Sequence, residues 1–545
     1  MSEVPPGTPT PPERPLVRAL DPVNAARPGG GAPPLPTLYL ADRLLVIGYP
    51  TDERAPLLDE LGDALAEQGV AYAPTEKSQR RLERVRGLRS QRTAPRDELD
   101  DIWVTSVVLT TITSADRSPD VPAALAPDSP PDAWTVLQRL RVAHARVAES
   151  VSLEHVVFPA PGHWGGIGGH WGGIDGHWGG IGHWGGIGHW GGIGHWGGIG
   201  HWGGIEALME YEVPGRGGRM PVSVTLADPA LRARSLDRPP VVAIPDTALA
   251  AHPWFEDDAR VIRLAVADGE LVPDATAQAA AISVTDSLTG VRGGLEGHGT
   301  FIAGLIRQGC PEATILSIPV MGNDGVAEEG DVIIALRALL ERHIDGQLEG
   351  RPEDCIDVLS LSMGYYAEDA GYLSGPVALL LRRFAEHGVL VVAGVGNDAS
   401  TAPFVPAALA ADPPKSIRPS SRPPLASVGA LNPDGRSVAL FSNALPVVSA
   451  MRPGVNLVST LPMVDGAGQP SVSVGGTDPV RTTMDPDNYQ GGFGVWSGTS
   501  FATPVLAAEL AAELVAAKDL ADVDATVMRK RAIRALRSCL GRKTS

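Results

Sequence analysis

One feature constrains the fold of this chain most: between residues 236 and 516, short apolar runs alternate with amphipathic helical patterns. Runs such as residues 241–244 and 389–393 are apolar almost throughout, which is typical of parallel strands that are covered on both faces. Helical patterns at residues 331–343 and 377–387 separate such runs, as crossover connections between parallel strands require. The sequence therefore predicts an α/β fold, with a doubly wound, mostly parallel sheet and helices on both faces.

We expect this fold to form one domain over residues 237–545. Its other predicted elements are strands at 315–320 and 358–362 and helical segments at 301–306 and 500–539. The end of the chain carries seven Lys and Arg residues between residues 529 and 543, which favour a solvated helix face and tail.

A second, smaller domain is predicted over residues 38–160. Strand-like runs and two amphipathic helices follow each other there in the order β-α-β-β-α-β, which suggests a ferredoxin-like α+β fold. The strands are expected at residues 38–48, 70–73, 103–113 and 155–158, and the helices at residues 131–147 and around Leu57, Leu58, Leu61 and Leu65. The charged stretch 75–101 fits none of these elements.

Three further segments lack the patterns of a packed domain. Residues 1–37 hold 11 of the 49 prolines and are predicted to be a disordered, Pro-rich leader. Residues 206–236 are predicted to be a connecting segment. Residues 161–205 form a low-complexity region in which the unit His-Trp-Gly-Gly-Ile occurs seven times. This repeat has three interpretations: a disordered insertion, a stacked β-solenoid, or a metal-binding tract that uses its evenly spaced imidazoles.

Charge and cysteine content exclude several classes of protein. The chain has 63 acidic and 45 basic residues, and its net charge of −18 argues against nucleic acid or an anionic membrane surface as a partner. We see no secretory signal and no membrane-spanning run, so the default expectation is a cytoplasmic location, with export by another route left open. The three cysteines (Cys310, Cys355 and Cys539) are widely spaced, which indicates free thiols rather than disulfides or a zinc site.

Two motifs carry the residue types of nucleophilic catalysis. Ser500 lies in Ser-Gly-Thr-Ser-Phe-Ala-Thr-Pro, directly before a helical pattern, so the positive end of the helix dipole would face a developing negative charge. His298 lies between two glycines in Glu-Gly-His-Gly-Thr, also before a helical pattern, which leaves its ring accessible. Each motif has a simpler interpretation, a helix N-cap serine and a loop histidine.

Two further residues follow predicted strands. Asp246 comes after the strand at residues 241–244, and its carboxylate is expected at the edge of the sheet where α/β folds build their sites. Asn397 closes the strand at residues 389–393, where its amide can donate to an oxyanion. A turn aspartate and a turn asparagine are the alternatives.

Taken together, these motifs occur in the order Asp, His, Ser and resemble those of the subtilisin-like serine peptidases, the subtilases. The resemblance covers roughly residues 237–516. It also includes Phe-Ser-Asn at residues 441–443 and Arg-Pro-Gly-Val at residues 452–455.

The resemblance implies a role for each residue. Ser500 is the nucleophile, His298 the general base and then acid, Asp246 the group that orients the imidazole, and Asn397 a donor to the oxyanion. The substrate would be a polypeptide that adds as a β-strand along the walls of the primary pocket. These walls are formed by Ser362, Met363, Gly364, Gly394, Val395 and Gly396. No cofactor is required; calcium is common in the family, but no ligand loop can be assigned here.

The aspartate segment departs from the family pattern. The family usually has glycine two positions after the aspartate, where this chain has Ala248. Alanine would be strained if that position needs a positive φ, and Pro245 removes a hydrogen-bond donor from the strand. A catalytically impaired scaffold that acts as a binding protein is therefore an alternative to an active endopeptidase. A repeat-based metal-binding or interaction protein is the third hypothesis.

Two regions near the predicted cleft invite further hypotheses. Subtilases often carry a β-α-β-β-α-β prodomain, and the domain at residues 38–160 lies in the corresponding position. Glu328, Glu329 and Asp331 lie in a region that borders substrate subsites in the family. They would either favour Lys or Arg near the cut bond or stabilise a helix N-terminus.

Overall fold

The fold is seen in a computed structural model. The structure describes residues 16–27, 32–89, 99–112, 130–159, 219–222, 224–256, 258–274, 294–323, 325–410, 423–464, 473–474, 481–482, 489–517 and 519–541. The His-Trp-Gly-Gly-Ile repeat lies outside these residues, so its three interpretations stay predictions. Among the described residues, no helix combines the length and apolarity needed to span a bilayer.

The amino-terminal elements form an antiparallel sheet with helices packed on it. The strands are β1 (Val17–Leu20), β2 (Thr37–Ile47), β3 (Val70–Pro74), β4 (Val104–Thr111) and β5 (Val151–Pro159), and the helices are α1 (Ala55–Ala66), α2 (Glu76–Arg89), α3 (Ala133–Ala143) and α4 (Ala145–Ala148). The sheet runs in the order β5-β2-β4-β3, with β1 on β2. The four strands and two main helices lie where the sequence predicts them, and the order of the strands is that of a ferredoxin-like sheet. A separate domain over residues 38–160 stays a prediction.

Several details of this region differ from the prediction. β1 lies inside the predicted disordered leader, because residues 17–20 pair antiparallel with the first residues of β2 and Leu20 is buried in the core. The unassigned stretch at residues 75–101 contains α2, a helix whose apolar Leu82 and Val85 are buried against the rest of the molecule. The helix predicted at residues 131–147 is interrupted at His144, which has non-helical backbone angles.

The remaining elements build the larger sheet and the helices around it. The strands are β6 (Met220–Pro221), β7 (Val241–Asp246), β8 (Val261–Ala267), β9 (Glu270–Pro273), β10 (Thr314–Pro319), β11 (Ala327–Glu328), β12 (Val358–Leu361), β13 (Met363–Tyr366), β14 (Leu390–Gly394), β15 (Phe404–Val405), β16 (Ala426–Leu431), β17 (Ala450–Pro453), β18 (Leu457–Thr460), β19 (Ser473–Val474), β20 (Arg481–Thr482) and β21 (Phe493–Trp496). The helices are α5 (His298–Gly309), α6 (Glu329–Glu349), α7 (Pro376–Glu386), α8 (Thr499–Val515) and α9 (Ala525–Gly541).

The large sheet has the order β17-β16-β14-β12-β7-β10-β8-β9 and is parallel except where β9 pairs with β8. Successive residues of β7 enter opposite cores: Val242 and Ile244 face α5, α8 and α9, whereas Val241 and Ala243 face α6 and α7. The predicted doubly wound sheet with helices on both faces is therefore confirmed. Each fully buried large apolar side chain contributes roughly 1.5–3 kcal/mol, so these two cores dominate the stability of the region.

The carboxyl-terminal helix α9 is not a purely solvated element. Arg531 is buried and bonds the carboxylate of Asp357 at 3.3 Å, while Arg238 reaches the other oxygen of the same carboxylate at 2.8 Å. The prediction that the basic residues of this helix form a solvated face is wrong for Arg531. Composition could not reveal the buried carboxylate that it pairs with.

Candidate active site

The carboxyl ends of the central strands bring the candidate residues to one edge of the large sheet. Asp246 ends β7, and Asn397 follows β14, which is the next strand but one in the sheet. His298 and Ser500 lie in the first turns of α5 and α8, two helices that pack against each other on one face of the sheet. Residues that are more than 250 positions apart in the sequence are thus brought to the same edge of the sheet.

Asp246 and His298 form a buried pair. His298 Nδ1 lies 2.7 Å from Asp246 Oδ1, which also accepts a hydrogen bond from the backbone N–H of Thr247 at 2.7 Å. Both side chains are almost fully buried, and the ring of His298 lies against Trp496 and Phe501, with centroid distances of 5.7 and 5.3 Å. The other ring nitrogen, Nε2, has no hydrogen-bond partner among the described residues. One nitrogen is therefore oriented by a carboxylate and the other is left available.

Two glycines let the histidine reach this position. Gly297 precedes α5 with a φ of +83°, a conformation that side chains rarely adopt. A Cβ on Gly299 would collide with the Thr247 carbonyl oxygen and lie 3.3 Å from Asp246 Oδ1. The Gly-His-Gly motif is thus required by backbone geometry on both sides.

The departures in the aspartate segment do not displace the carboxylate. Ala248 does not have a positive φ, so the predicted strain is absent. Pro245 pairs with Ile318 of β10, and the pairing of β7 with β12 ends earlier, at Ala243. Because the missing N–H of Pro245 falls beyond the part of β7 that is paired with β12, Asp246 still reaches His298.

Ser500 is fully buried in the first turn of α8, one residue before Phe501, whose ring centroid lies 5.3 Å from that of His298. The Ser500 hydroxyl donates to the backbone oxygen of Ser362 at 3.1 Å, and the Ser362 hydroxyl donates to the backbone oxygen of Ser500 at 2.8 Å. The serine is therefore held against β13 rather than bonded to the imidazole. A rotation about its Cα–Cβ bond redirects the hydroxyl, and such hydrogen bonds often form only when substrate is bound.

Asn397 presents one half of its amide to the cleft. Its Oδ1 accepts a hydrogen bond from the Thr499 backbone N–H at 2.9 Å, which fixes the orientation of the amide. Its Nδ2 is buried and has no hydrogen-bond partner among the described residues. The unpartnered donor, Nδ2, thus belongs to a residue whose other amide atom is bonded to Thr499, the residue before Ser500.

The predicted pocket walls lie on two adjacent strands and the loop after one of them. Ser362, Met363 and Gly364 are at the junction of β12 and β13, and Gly394, Val395 and Gly396 end β14. Gly396 has a φ of +99°, and a Cβ there would lie 3.2 Å from Phe404 Cγ. A Cβ on Gly364 would lie 2.7 Å from Cε1 of the same Phe404 ring. Phe404 therefore contacts both walls, which the sequence did not predict.

Strand β5 of the amino-terminal sheet lies between two strands of the carboxyl-terminal region. It pairs antiparallel with β13, where Phe158 is opposite Gly364 and Pro159 is opposite Met363. On its other side it pairs antiparallel with β11, where Val157 is opposite Ala327. The predicted substrate-binding edge is thus occupied by a segment of the same chain.

A second buried histidine lies in β5, and no motif in the sequence indicates it. His155 of β5 is buried, with Nδ1 2.6 Å from Glu329 Oε2 and Nε2 2.8 Å from Glu368 Oε2. Its ring stacks on Tyr365 at 4.2 Å. Burial alone would lower the pKa of His155, but the two carboxylates outweigh it and raise the pKa to about 10. A charged imidazole therefore joins β5 to both neighbouring elements.

Glu154, the residue directly before His155, is also buried where β5 meets the start of α6. Burial raises the pKa of Glu154 to about 8, although the hydroxyl of Ser106 donates to its carboxylate. The carboxyl group packs on the backbone of Gly330, where a Cβ would lie 2.8 Å from Glu154 Oε1. Because its pKa is raised, Glu154 favours the protonated form in this packed arrangement.

The three acidic residues singled out in the sequence all face the amino-terminal region. Glu328 pairs with Arg43 at 3.0 Å, and Asp331 pairs with Arg81 at 2.7 Å. Glu329 bonds His155, as described above. These carboxylates do begin a helix, but each also bonds a cationic side chain from the first 160 residues of the chain. Among the described residues, no cluster of His, Cys, Asp or Glu has the composition of a metal site.

Comparison with known proteins agrees with this architecture. The model of the subtilase family, Peptidase_S8, matches residues 237–537. The subtilase-type proteinase RRT12 of Saccharomyces cerevisiae is 26% identical over 171 residues, which are 31% of this chain and 30% of that protein. The chain therefore belongs to the subtilase family.

Solved structures were also compared. The prenylagaramide maturation protease PagA is 21% identical, with 51% of this chain and 75% of that chain covered and a TM-score of 0.31. A mutant of the protease domain of PatA is 21% identical, and the match covers 56% of this chain and 97% of that chain with a TM-score of 0.34. A cold-adapted subtilisin-like serine proteinase is 20% identical, with 54% and 86% covered and a TM-score of 0.33.

Proposed function

We propose that the protein is a serine endopeptidase in which Ser500 attacks the carbonyl carbon of a peptide bond. His298 Nε2 takes the hydroxyl proton as the Oγ–carbon bond forms and then gives that proton to the leaving amine. Water subsequently hydrolyses the acyl-serine by the same route, with His298 again taking and returning a proton. The observation that carries the proposal is the unpartnered Nε2 of a histidine whose Nδ1 is fixed by Asp246 at 2.7 Å.

The oxyanion would be bound by Asn397 Nδ2 and by the backbone N–H of Ser500. Asn397 Nδ2 is the donor left free when Oδ1 accepts from Thr499. The first N–H groups of a helix have no intrahelical partners, so the start of α8 supplies a second donor and a favourable dipole. Each step uses groups of the chain and water, so no cofactor is required.

We propose further that residues 38–160 form an inhibitory domain of the prodomain type. Strand β5 pairs with β13 and β11 in the way that an extended polypeptide substrate would add to the edge. Ion pairs between the two regions support this contact, among them Arg43 with Glu328 and Arg81 with Asp331. A polypeptide substrate would have to displace β5 before it could reach Ser500.

A fluorophosphonate probe tests the proposed activity. The full chain and its His155→Ala variant, in which β5 is held less tightly, should both be labelled at Ser500. Ser500→Ala should abolish labelling, whereas Ser437→Ala, which changes an exposed serine in the loop after β16, should leave it intact.

The outcomes separate an enzyme from a binding scaffold. Labelling that persists in Ser500→Ala would remove the nucleophile from the proposal. A folded chain that stays unlabelled in both backgrounds would instead favour the hypothesis of a catalytically impaired scaffold.

A further inference from the structure

The contact between Phe404 and both pocket walls limits the room for a substrate side chain. The two predicted walls carry glycine at Gly364, in β13, and at Gly396, just after β14. The Phe404 ring lies against both: its Cε1 and Cζ are 2.7 and 2.9 Å from the position of a Cβ on Gly364, and its Cγ is 3.2 Å from that on Gly396. One aromatic ring thus reaches from wall to wall.

The ring is held in that place. Phe404 is fully buried, and its strand β15 pairs with β13, with Phe404 opposite Tyr366. The rings of Tyr366 and Phe158 lie 5.1 and 5.5 Å from it. The Tyr366 hydroxyl is in turn bonded to Asp398 at 2.6 Å. The pairing of β15 with β13 and the contact with Tyr366 remain when β5, which carries Phe158, is displaced, so moving the ring aside for a substrate would still cost packing.

We propose that Phe404 fills the primary specificity pocket, so that the enzyme cuts after glycine, alanine or serine and excludes large side chains at that position. This inference rests on the proposed peptidase function, and it adds a preference for a small residue directly before the cut bond. Glycine, alanine and serine have at most two side-chain heavy atoms, whereas leucine or phenylalanine would need the volume that Phe404 occupies. The limit on side-chain size before the cut bond leaves the proposed pairing of the substrate backbone with β13 unchanged.

The test compares peptides that differ only in the residue before the cut bond: alanine, leucine or phenylalanine. The full chain, in wild-type and His155→Ala backgrounds, is compared with Phe404→Leu, Phe404→Ala and Phe404→Gly. The readout is the ratio of kcat/KM values between peptides, in which the fraction of enzyme with an open cleft cancels. We expect wild type to favour alanine over phenylalanine by at least about 100-fold, since a pocket discriminates by steric fit. Phe404→Ala and Phe404→Gly should reverse or abolish that preference.

The outcomes distinguish this inference from the proposed function. Cleavage after phenylalanine as fast as after alanine by the wild type would overturn the role of Phe404 and leave the peptidase intact. The same holds if the smaller variants remain labelled at Ser500 but keep the wild-type ratio. If the alanine and glycine variants do not fold, the cleavage sites of the wild type in a mixed peptide library and the milder Phe404→Leu variant still decide. Absence of both labelling and cleavage throughout would overturn the function and this inference together.

Discussion

Two buried histidines lie near the same cleft and are used differently. His298 has one carboxylate partner, Asp246, and its second ring nitrogen has no partner among the described residues. His155 has a carboxylate on each ring nitrogen, from Glu329 and Glu368. A histidine with one free nitrogen can accept and return a proton, whereas one with both nitrogens bonded acts as a fixed charged link.

The amides near the cleft repeat this contrast. Asn397 keeps its Nδ2 unpartnered, but Asn443 uses Nδ2 to bond the Tyr366 hydroxyl at 2.8 Å and the Val395 backbone oxygen at 2.9 Å. Asn443 Oδ1 also accepts from the backbone of Asp398 and Ser400. In both residue types, a free polar atom inside the protein marks the proposed chemistry and a saturated one marks structure. Leaving a buried polar atom unpaired costs about 1–3 kcal/mol, and at His298 and Asn397 the proposed chemistry gives that atom a partner in the reacting substrate.

The largest expected effect separates the roles of the two histidines. His298→Ala should lower turnover by about 10⁶-fold, the size known for the triad histidine of subtilisin. His155→Ala should instead raise the activity of the full chain, because it removes the charged imidazole that bonds the buried carboxylates of Glu329 and Glu368 and so weakens the docking of β5, by up to about 3–5 kcal/mol. Peptide hydrolysis and probe labelling of both variants measure this difference. Loss of activity in both would mean that His155 supports the fold of the catalytic region rather than the closure of its cleft.

The amide pair provides the next prediction. Asn397→Ala should lower kcat by about 10²–10³-fold with little change in KM, because the donor acts on charge that develops in the transition state. Asn443→Ala is the matched control: it should lower the melting temperature, because it leaves two backbone N–H groups unpaired, and affect kcat much less. An equal loss of kcat in both variants would mean that Asn397 supports the structure of the loop and does not bind the oxyanion.

The comparison also shows what the sequence could predict. The glycines beside His298, the helix after Ser500 and the apolar run before Asp246 are local signals, and they led to the residues that the fold brings together. His155 has no such signal: it lies in an ordinary strand pattern, and its partners are more than 170 positions away. Phe404 was missed for the same reason, since it fills a slot between walls formed by other segments.

The fold itself was predictable where periodicity is strong. The apolar strands and their helices depend on residues within one element, so their order followed from the sequence. The docking of β5 between β11 and β13 depends on pairing between distant segments. The ion pair of Arg531 likewise depends on the carboxylate of Asp357, which comes from another part of the chain. Contacts of that kind leave no mark in composition or spacing.

The third prediction concerns pH and sharpens the contrast. The pKa of His155 is raised to about 10 in the docked state, whereas it is near 6.5 when exposed, so docking is strongest below about pH 6.5 and weakens as the pH rises through 10. With one linked proton, the docking constant should fall by up to about tenfold per pH unit in that window. The measurement is the rate of Ser500 labelling in His155→Ala divided by that in wild type, a ratio in which any pH dependence of the labelling reaction itself cancels. The ratio should be large at pH 6 and approach one near pH 10; a ratio independent of pH would contradict the link through His155.

The smallest effect expected concerns Glu154. Its pKa is raised to about 8 by burial, so docking keeps a proton that the exposed carboxyl would lose above about pH 4.5, and docking therefore weakens as the pH rises from about 4.5 to 8. Glu154→Gln places a permanently neutral group at the same contact and should remove this part of the pH dependence while the part above pH 8, which belongs to His155, remains. Labelling of Ser500 in the full chain, followed from pH 5 to 10 in wild type and Glu154→Gln, separates the two groups. If the variant and the wild type lose docking in parallel across the whole range, the carboxyl group of Glu154 does not change its protonation on docking, and His155 alone carries the dependence.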